Sequence, residues 1–177
     1  MQKISTHLAE IKLVGITIRT SNANESSLTT TKILPCVQTY FGQNIPEKIT
    51  NRKNPGTTFC AYTDYESEHI NPARCDYNGS YTYFLGEEVT SFDNVPEGLE
   101  TLTIPTQAYI KFTTDPGVVP NVIGEAWREI WQLRPSSLGS VRRYLTDFEI
   151  HDERMADRNN AVLDIYIGTE DLAKITV

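Results

Sequence analysis

Self-similarity at an offset of 82 to 83 residues constrains this chain more than any other feature. Tyr62-Thr63-Asp64-Tyr65-Glu66 is echoed by Leu145-Thr146-Asp147-Phe148-Glu149 at an offset of 83, and Tyr83-Phe84-Leu85-Gly86-Glu87-Glu88 by Ile165-Tyr166-Ile167-Gly168-Thr169-Glu170 at 82. Two matches at nearly one offset imply a supersecondary unit used twice.

Each half predicts the same elements. Residues 13–19 alternate apolar and polar in the manner of a half-buried strand. Ile33, Val37, Tyr40 and Phe41 then fall on one helical stripe, with Pro35 near its start and Gly42 at a natural stop. Residues 46–58 read as a polar loop, and strands at about 59–66 and 81–89 follow, joined across Asn78-Gly79-Ser80. In the second half, 102–105 and 109–114 are extended. A helix between Pro120 and Pro135 carries Ile123, Trp127, Ile130, Trp131 and Arg134, and strands at about 147–151 and 162–167 close the unit.

The pattern is β-α-β-β twice, and one such unit offers a single helix to cover a whole sheet face. Two units side by side solve this. The expected fold is α+β, with duplicated β-α-β-β units forming one antiparallel sheet, two main helices on one face and a groove between them. The expected domain is the whole chain, 1–177, with pseudo-repeats at about 8–90 and 100–170.

Charge narrows the function classes. Sixteen Lys and Arg stand against 23 Asp and Glu, a formal charge of −7, so direct nucleic-acid binding is not expected and cationic partners fit better. Residues 145–177 hold eight of the acidic residues against three basic ones. No apolar run approaches a membrane span, and the amino terminus lacks the apolar core of a secretory signal. The expected location is the cytoplasm, with Cys36, Cys60 and Cys75 as reduced thiols. His7, His69 and His151 lie far apart without a metal-ligand spacing, so neither a metal nor a cofactor is expected.

Glu149 is the residue to single out. Strand alternation puts Asp147, Glu149 and His151 on one face, with Phe148 and Ile150 on the other. Trp127, Trp131, Tyr83, Phe112 and Tyr166 are expected to approach the same groove. A carboxylate among aromatic faces suits a lipophilic organic cation: the rings attract the positive charge and the carboxylate neutralises it on desolvation. Two residues along a strand span about 7 Å, which disfavours a Glu149–His151 acid–base pair. Residues 151–160 read as a solvated hairpin loop.

Residues 81–89, then Ile104-Pro105-Thr106-Gln107-Ala108-Tyr109-Ile110-Lys111-Phe112, then Trp127-Arg128-Glu129-Ile130-Trp131, then Phe148-Glu149 and Asp164-Ile165-Tyr166-Ile167 together resemble the GyrI-like effector-binding domain. This is the ligand module of some AraC-type and MerR-type transcription regulators, and it also occurs alone, including in integron gene cassettes. The resemblance runs from about residue 8 to 167. It implies a hydrophobic groove for lipophilic cations in the multidrug-sensing members, with the central acidic role falling on Glu149 and a stacking role on Tyr166. His151 stands where members often have tyrosine, and Gly168 where proline is common. No helix-turn-helix segment precedes the domain in this sequence, so a stand-alone form is expected.

The leading expectation is a stand-alone module that senses or sequesters lipophilic cationic compounds, with ligand-binding residues Glu149, Tyr166, Trp127, Tyr83 and Phe112 and no catalytic residue. It is more a binder than an enzyme. A homodimer or a separate regulator protein would be its macromolecular partner. The alternatives are a hydrolase of electrophilic small molecules using the same glutamate, and a gyrase-inhibitor-like interaction module.

Overall fold

The computed structural model describes residues 1–66 and 77–170. Eight strands form one sheet: β1 (Gln2–Leu8), β2 (Ile11–Ser21), β3 (Thr58–Thr63), β4 (Ser80–Glu88), β5 (Glu100–Ile104), β6 (Gln107–Thr113), β7 (Thr146–His151) and β8 (Asp164–Thr169). Five helices accompany them: α1 (Asn22–Glu25), α2 (Ile33–Gly42), α3 (Ile45–Lys48), α4 (Asn121–Gln132) and α5 (Pro135–Leu138). The sheet is antiparallel throughout, in the order β1-β6-β8-β7-β3-β4-β2-β5.

That order has a geometric consequence. β5 and β6 are six places apart in the sheet, about 29 Å if it were flat, yet only Pro105 and Thr106 separate them in sequence. The step from Ile104 to Gln107 reaches at most about 11 Å. β1 and β2 show the same thing, with only Ala9 and Glu10 between them. The sheet must therefore curl until its ends approach. In effect, β1–β2 and β5–β6 are the two strands of one bent ribbon, paired as β2·β5 in one half and β1·β6 in the other, with Leu8 opposite Gln107 and Ile11 opposite Ile104.

Curling divides the apolar residues into two populations. Leu13, Phe59, Ala61, Phe84, Ile104, Tyr109, Phe148 and Tyr166 fill the inside of the curl, with Phe148 and Tyr166 stacked at a centroid distance of 4.7 Å. The other face is covered by helices. α2 buries Cys36 and Tyr40 against Cys60, Tyr83 and Leu85. α4 buries Val122, Ala126, Trp127 and Ile130 against Ile110, Phe112, Ile165 and Ile167. Because Cys60 of β3 sits directly opposite Glu149 of β7, the two clusters share one face and meet over the central strands. Tyr62 packs against both.

Several sequence expectations shift in detail. The amino terminus, for which the sequence pattern offers no element before about residue 8, is edge strand β1, which needs little burial because only β6 pairs with it. The polar loop over 46–58 begins inside α3. The strand expected to reach residue 66 ends at Thr63, where Asp64 takes a left-handed φ of 50°. The Gly86 and Gly168 echo falls in strands β4 and β8, whereas the Tyr65-Glu66 half of the other echo lies beyond β3. The two extended segments read over 102–105 and 109–114 are β5 and β6, which lie six places apart in the sheet. In the 151–160 segment, Glu153–Met155 form a 3-10 turn, and Arg154 bonds Asp152 and Asp164. Cys36 and Cys60 are buried free thiols; Cys75 and His69 lie outside the described residues.

Gly15 and Gly86 face each other across β2 and β4. A Cβ built on Gly86 falls 2.2 Å from the Val14 carbonyl oxygen, and one on Gly15 falls 2.0 Å from that of Leu85. Gly86→Ala should therefore destabilise the fold by about 1–3 kcal/mol, the usual cost of overpacking. Gly42→Ala, at a helical position with nothing within 4 Å, should be neutral or stabilise by up to ~1 kcal/mol. Urea titration of both variants checks the pair; equal midpoints would refute the close-approach account.

Candidate functional site

Strand β7 carries two carboxylates onto the helix-covered face, and their surroundings differ. Asp147 is fully buried. Arg142 donates to its Oδ2 from Nη2 at 2.6 Å and from Nε at 3.1 Å, the Tyr65 hydroxyl donates to the same oxygen at 2.9 Å, and the Gly168 amide donates to Oδ1 at 2.7 Å. The guanidinium lies 4.4 Å from the centroid of Tyr144 and 5.9 Å from that of Tyr65. One half of the face thus already holds a cation between a carboxylate and aromatic rings, and that cation belongs to the chain.

Glu149, two residues along, is 2% exposed and has no Lys or Arg partner among the described residues. Its Oε1 accepts from the Tyr62 hydroxyl at 2.5 Å and from Trp127 Nε1 at 2.6 Å, while Oε2 lies 2.7 Å from His151 Nε2. Burial by itself would raise the pKa of this carboxyl. The His151 hydrogen bond and the attraction of its imidazolium form, followed by the Tyr62 and Trp127 hydrogen bonds, stabilise the anion, outweigh burial and hold the pKa below the ordinary carboxylate range. The charge also reaches its neighbours. Burial first, and then the Glu149 carboxylate, push the Tyr62 hydroxyl and the Cys60 thiol well above their ordinary values, so both stay protonated.

Aromatic rings run outward from this point. Trp127 meets Tyr62 at 4.9 Å and Trp131 at 6.2 Å; Tyr62 meets Tyr83 at 5.5 Å and Tyr81 at 5.7 Å. The ring series continues through Tyr65 to Tyr77 and Tyr144. Three elements hold the rings nearest Glu149: β3 carries Tyr62, β4 carries Tyr81 and Tyr83, and α4 carries Trp127 and Trp131.

The structure brings Trp127 into contact with Glu149 and places Tyr83 one strand beyond, opposite Tyr62. Phe112 lies on the same face but two strands away, with Ile165 between it and Glu149. Tyr166 is not brought to Glu149. It is aligned with Phe148, the inward-pointing neighbour, and is buried inside the curl beside Tyr109. A residue one step out of phase on a strand faces the opposite side, and Tyr166 is out of phase with Ile165, the residue that faces Glu149's side. Sequence reading overlooked Tyr62 and Cys60, because cross-strand register is written nowhere in the local sequence. It also disfavoured the Glu149–His151 contact on backbone spacing alone; the two side chains lean together and close the gap to a hydrogen bond.

Known proteins give a consistent context. A family model described as integron-associated effector binding protein matches residues 6–168. The "Putative transcriptional regulator protein YobU" of Bacillus subtilis is 28% identical over 164 residues, spanning 92% of this chain and 94% of that protein. Among solved structures, an integron cassette protein from the mobile metagenome of Vibrio cholerae, VCH_CASS2, superposes with a TM-score of 0.71 at 21% identity, covering 95% of each chain. SAV2435, solved bound to tetraphenylphosphonium, superposes with a TM-score of 0.75 at 14% identity, covering 99% of this chain and 98% of the other. These two show a shared fold. No helix among the described residues is long and apolar enough to cross a membrane. The match over residues 6–168 establishes that this chain belongs to the integron-associated effector binding protein family.

Proposed function

We propose that this effector-binding module takes a lipophilic organic cation at Glu149, acting in the cytoplasm as a sensor or sequestering protein. The whole chain would serve as one binding domain. The observation that carries this reading is a buried carboxylate ringed by Tyr62, Trp127 and Tyr83 with no Lys or Arg of the described chain to neutralise it. A buried carboxylate whose cationic partner among the described residues is the partly exposed His151 keeps part of its desolvation cost, and a bound cation removes that cost while gaining roughly 0.5–2 kcal/mol from each ring face. Arg142 between Asp147, Tyr65 and Tyr144 shows the same chemistry satisfied from within the chain. The fold-level likeness to a tetraphenylphosphonium-bound protein supports the ligand class.

Glu149 is nearly closed off, so a ligand of any size must displace a ring. Tyr62 is the ring to move, being only half-buried while Tyr81 and Tyr83 are buried. The hydrolase reading gains the His151 contact but loses on basicity: a carboxylate held below its ordinary pKa is a weak base for activating water. Binding is therefore the reading supported here.

A lipophilic cation such as tetraphenylphosphonium should quench the fluorescence of Trp127 at micromolar concentration. Glu149→Gln keeps an acceptor for Tyr62 and Trp127 and should leave the melting curve intact while weakening the cation at least about tenfold, ~1.4 kcal/mol. Equal affinity for a neutral isostere such as tetraphenylmethane derivatives would overturn the proposal. Asp147→Asn, by contrast, strands the buried Arg142 guanidinium and should cost about 3–5 kcal/mol of stability, read as a large fall in the urea midpoint.

A further inference from the structure

The register between β3 and β7 places a third kind of group beside Glu149. Cys60 faces Glu149 directly across the two central strands, and His151 reaches back along β7 to the same carboxylate. One ligating atom from each of the three side chains, sulfur, nitrogen and oxygen, lies within 4.8 Å of the other two. We propose that Cys60, Glu149 and His151 form a three-ligand site for a thiophilic divalent metal ion of the Zn²⁺ class, set in the floor of the helix-covered face.

The donor set suits that ion. One thiolate, one imidazole and one carboxylate are borderline-soft ligands that Zn²⁺ and Co²⁺ accept in tetrahedral geometry. In such a centre the ligand atoms stand about 3.3–3.6 Å apart. The 2.7 Å contact between His151 and Glu149 would open slightly, and the sulfur already lies within 4.8 Å of both partners. These are rotamer adjustments on a rigid central pair of strands.

Charge balance favours the site too. Coordination replaces the Cys60 thiol proton, which leaves to solvent, so thiolate, carboxylate and neutral imidazole carry two negative charges against the ion's two positive ones. A neutral buried centre results. His151 is the partly exposed member, at 24%, and marks the entry side; Cys60 and Glu149 are buried. Three protein ligands leave a fourth position for water or an outside ligand. Metal and organic cation would share Glu149 and exclude each other.

Co²⁺ titration of the intact protein tests this. One equivalent should produce the visible d–d absorption of a tetrahedral centre and a near-ultraviolet thiolate charge-transfer band, both abolished by excess Zn²⁺. Cys60→Ser should remove the charge-transfer band and weaken Co²⁺ at least 100-fold, and His151→Gln at least tenfold, with melting curves close to wild type. Zn²⁺ should displace bound tetraphenylphosphonium from the wild type but not from Cys60→Ser, which keeps the carboxylate. The absence of a stoichiometric thiolate band, or an unchanged band in Cys60→Ser, overturns the metal site. Tetraphenylphosphonium binding without Co²⁺ binding would refute this inference and leave the organic-cation reading standing, and the converse result would do the reverse.

Discussion

The two short connections, Ala9-Glu10 and Pro105-Thr106, govern the architecture. A chain that steps between strands six places apart in an eight-stranded sheet within two residues can do so only if the sheet has curled until its ends approach. Curling gives the sheet an inside, filled by Phe59, Phe84, Phe148, Tyr109 and Tyr166, and an outside covered by helices. With the inside packed by rings and aliphatic chains, the outer face over β3 and β7 is where a charge can be held against helices rather than sealed within the curl. Every odd-numbered residue of β7 is thereby committed to the helix-covered side.

That commitment explains a carboxylate at the centre of the fold. Burial opposes its ionisation, and three hydrogen bonds, from Tyr62, Trp127 and His151, restore it. Such bonds to an anion are the stronger kind, and a pair of aromatic donors keeps the surroundings apolar while supplying them. The arrangement keeps Glu149 charged without a salt bridge to Lys or Arg among the described residues, its ionisable partner there being His151.

Periodicity in the sequence reports which residues share a face, and that much was legible: the helix stripe of Ile33, Val37 and Tyr40, the stripe of Ile123, Trp127 and Ile130, and the common face of Asp147, Glu149 and His151. Periodicity does not report register between strands distant in sequence. Cys60 and Glu149 are neighbours only through β3·β7 pairing, and nothing local to either residue announces it. Tyr166 shows the same gap: its strand was foreseen, but placing it near Glu149 required knowing that Ile165, not Tyr166, takes the facing position. Edge strand β1 was missed for a different reason. A strand paired on one side and exposed on the other needs few apolar residues, so Gln2–Leu8 carries little pattern to read.

Three acidic side chains are buried on the helix-covered face: Glu87, Asp147 and Glu149. Two have guanidinium partners. Arg52 reaches Glu87 at 3.6 Å from the loop before β3, and Arg142 reaches Asp147 at 2.6 Å from the loop before β7. Both acids lie toward strand ends, within range of a connecting loop. Glu149 does not: it sits within β7, flanked by Ile165 and Cys60 in the sheet and roofed by Trp127. A loop arginine would have to cross the width of α4 or α2 to meet it. Position in the strand therefore settles which carboxylates a described arginine reaches; the one left to His151 is the one surrounded by rings.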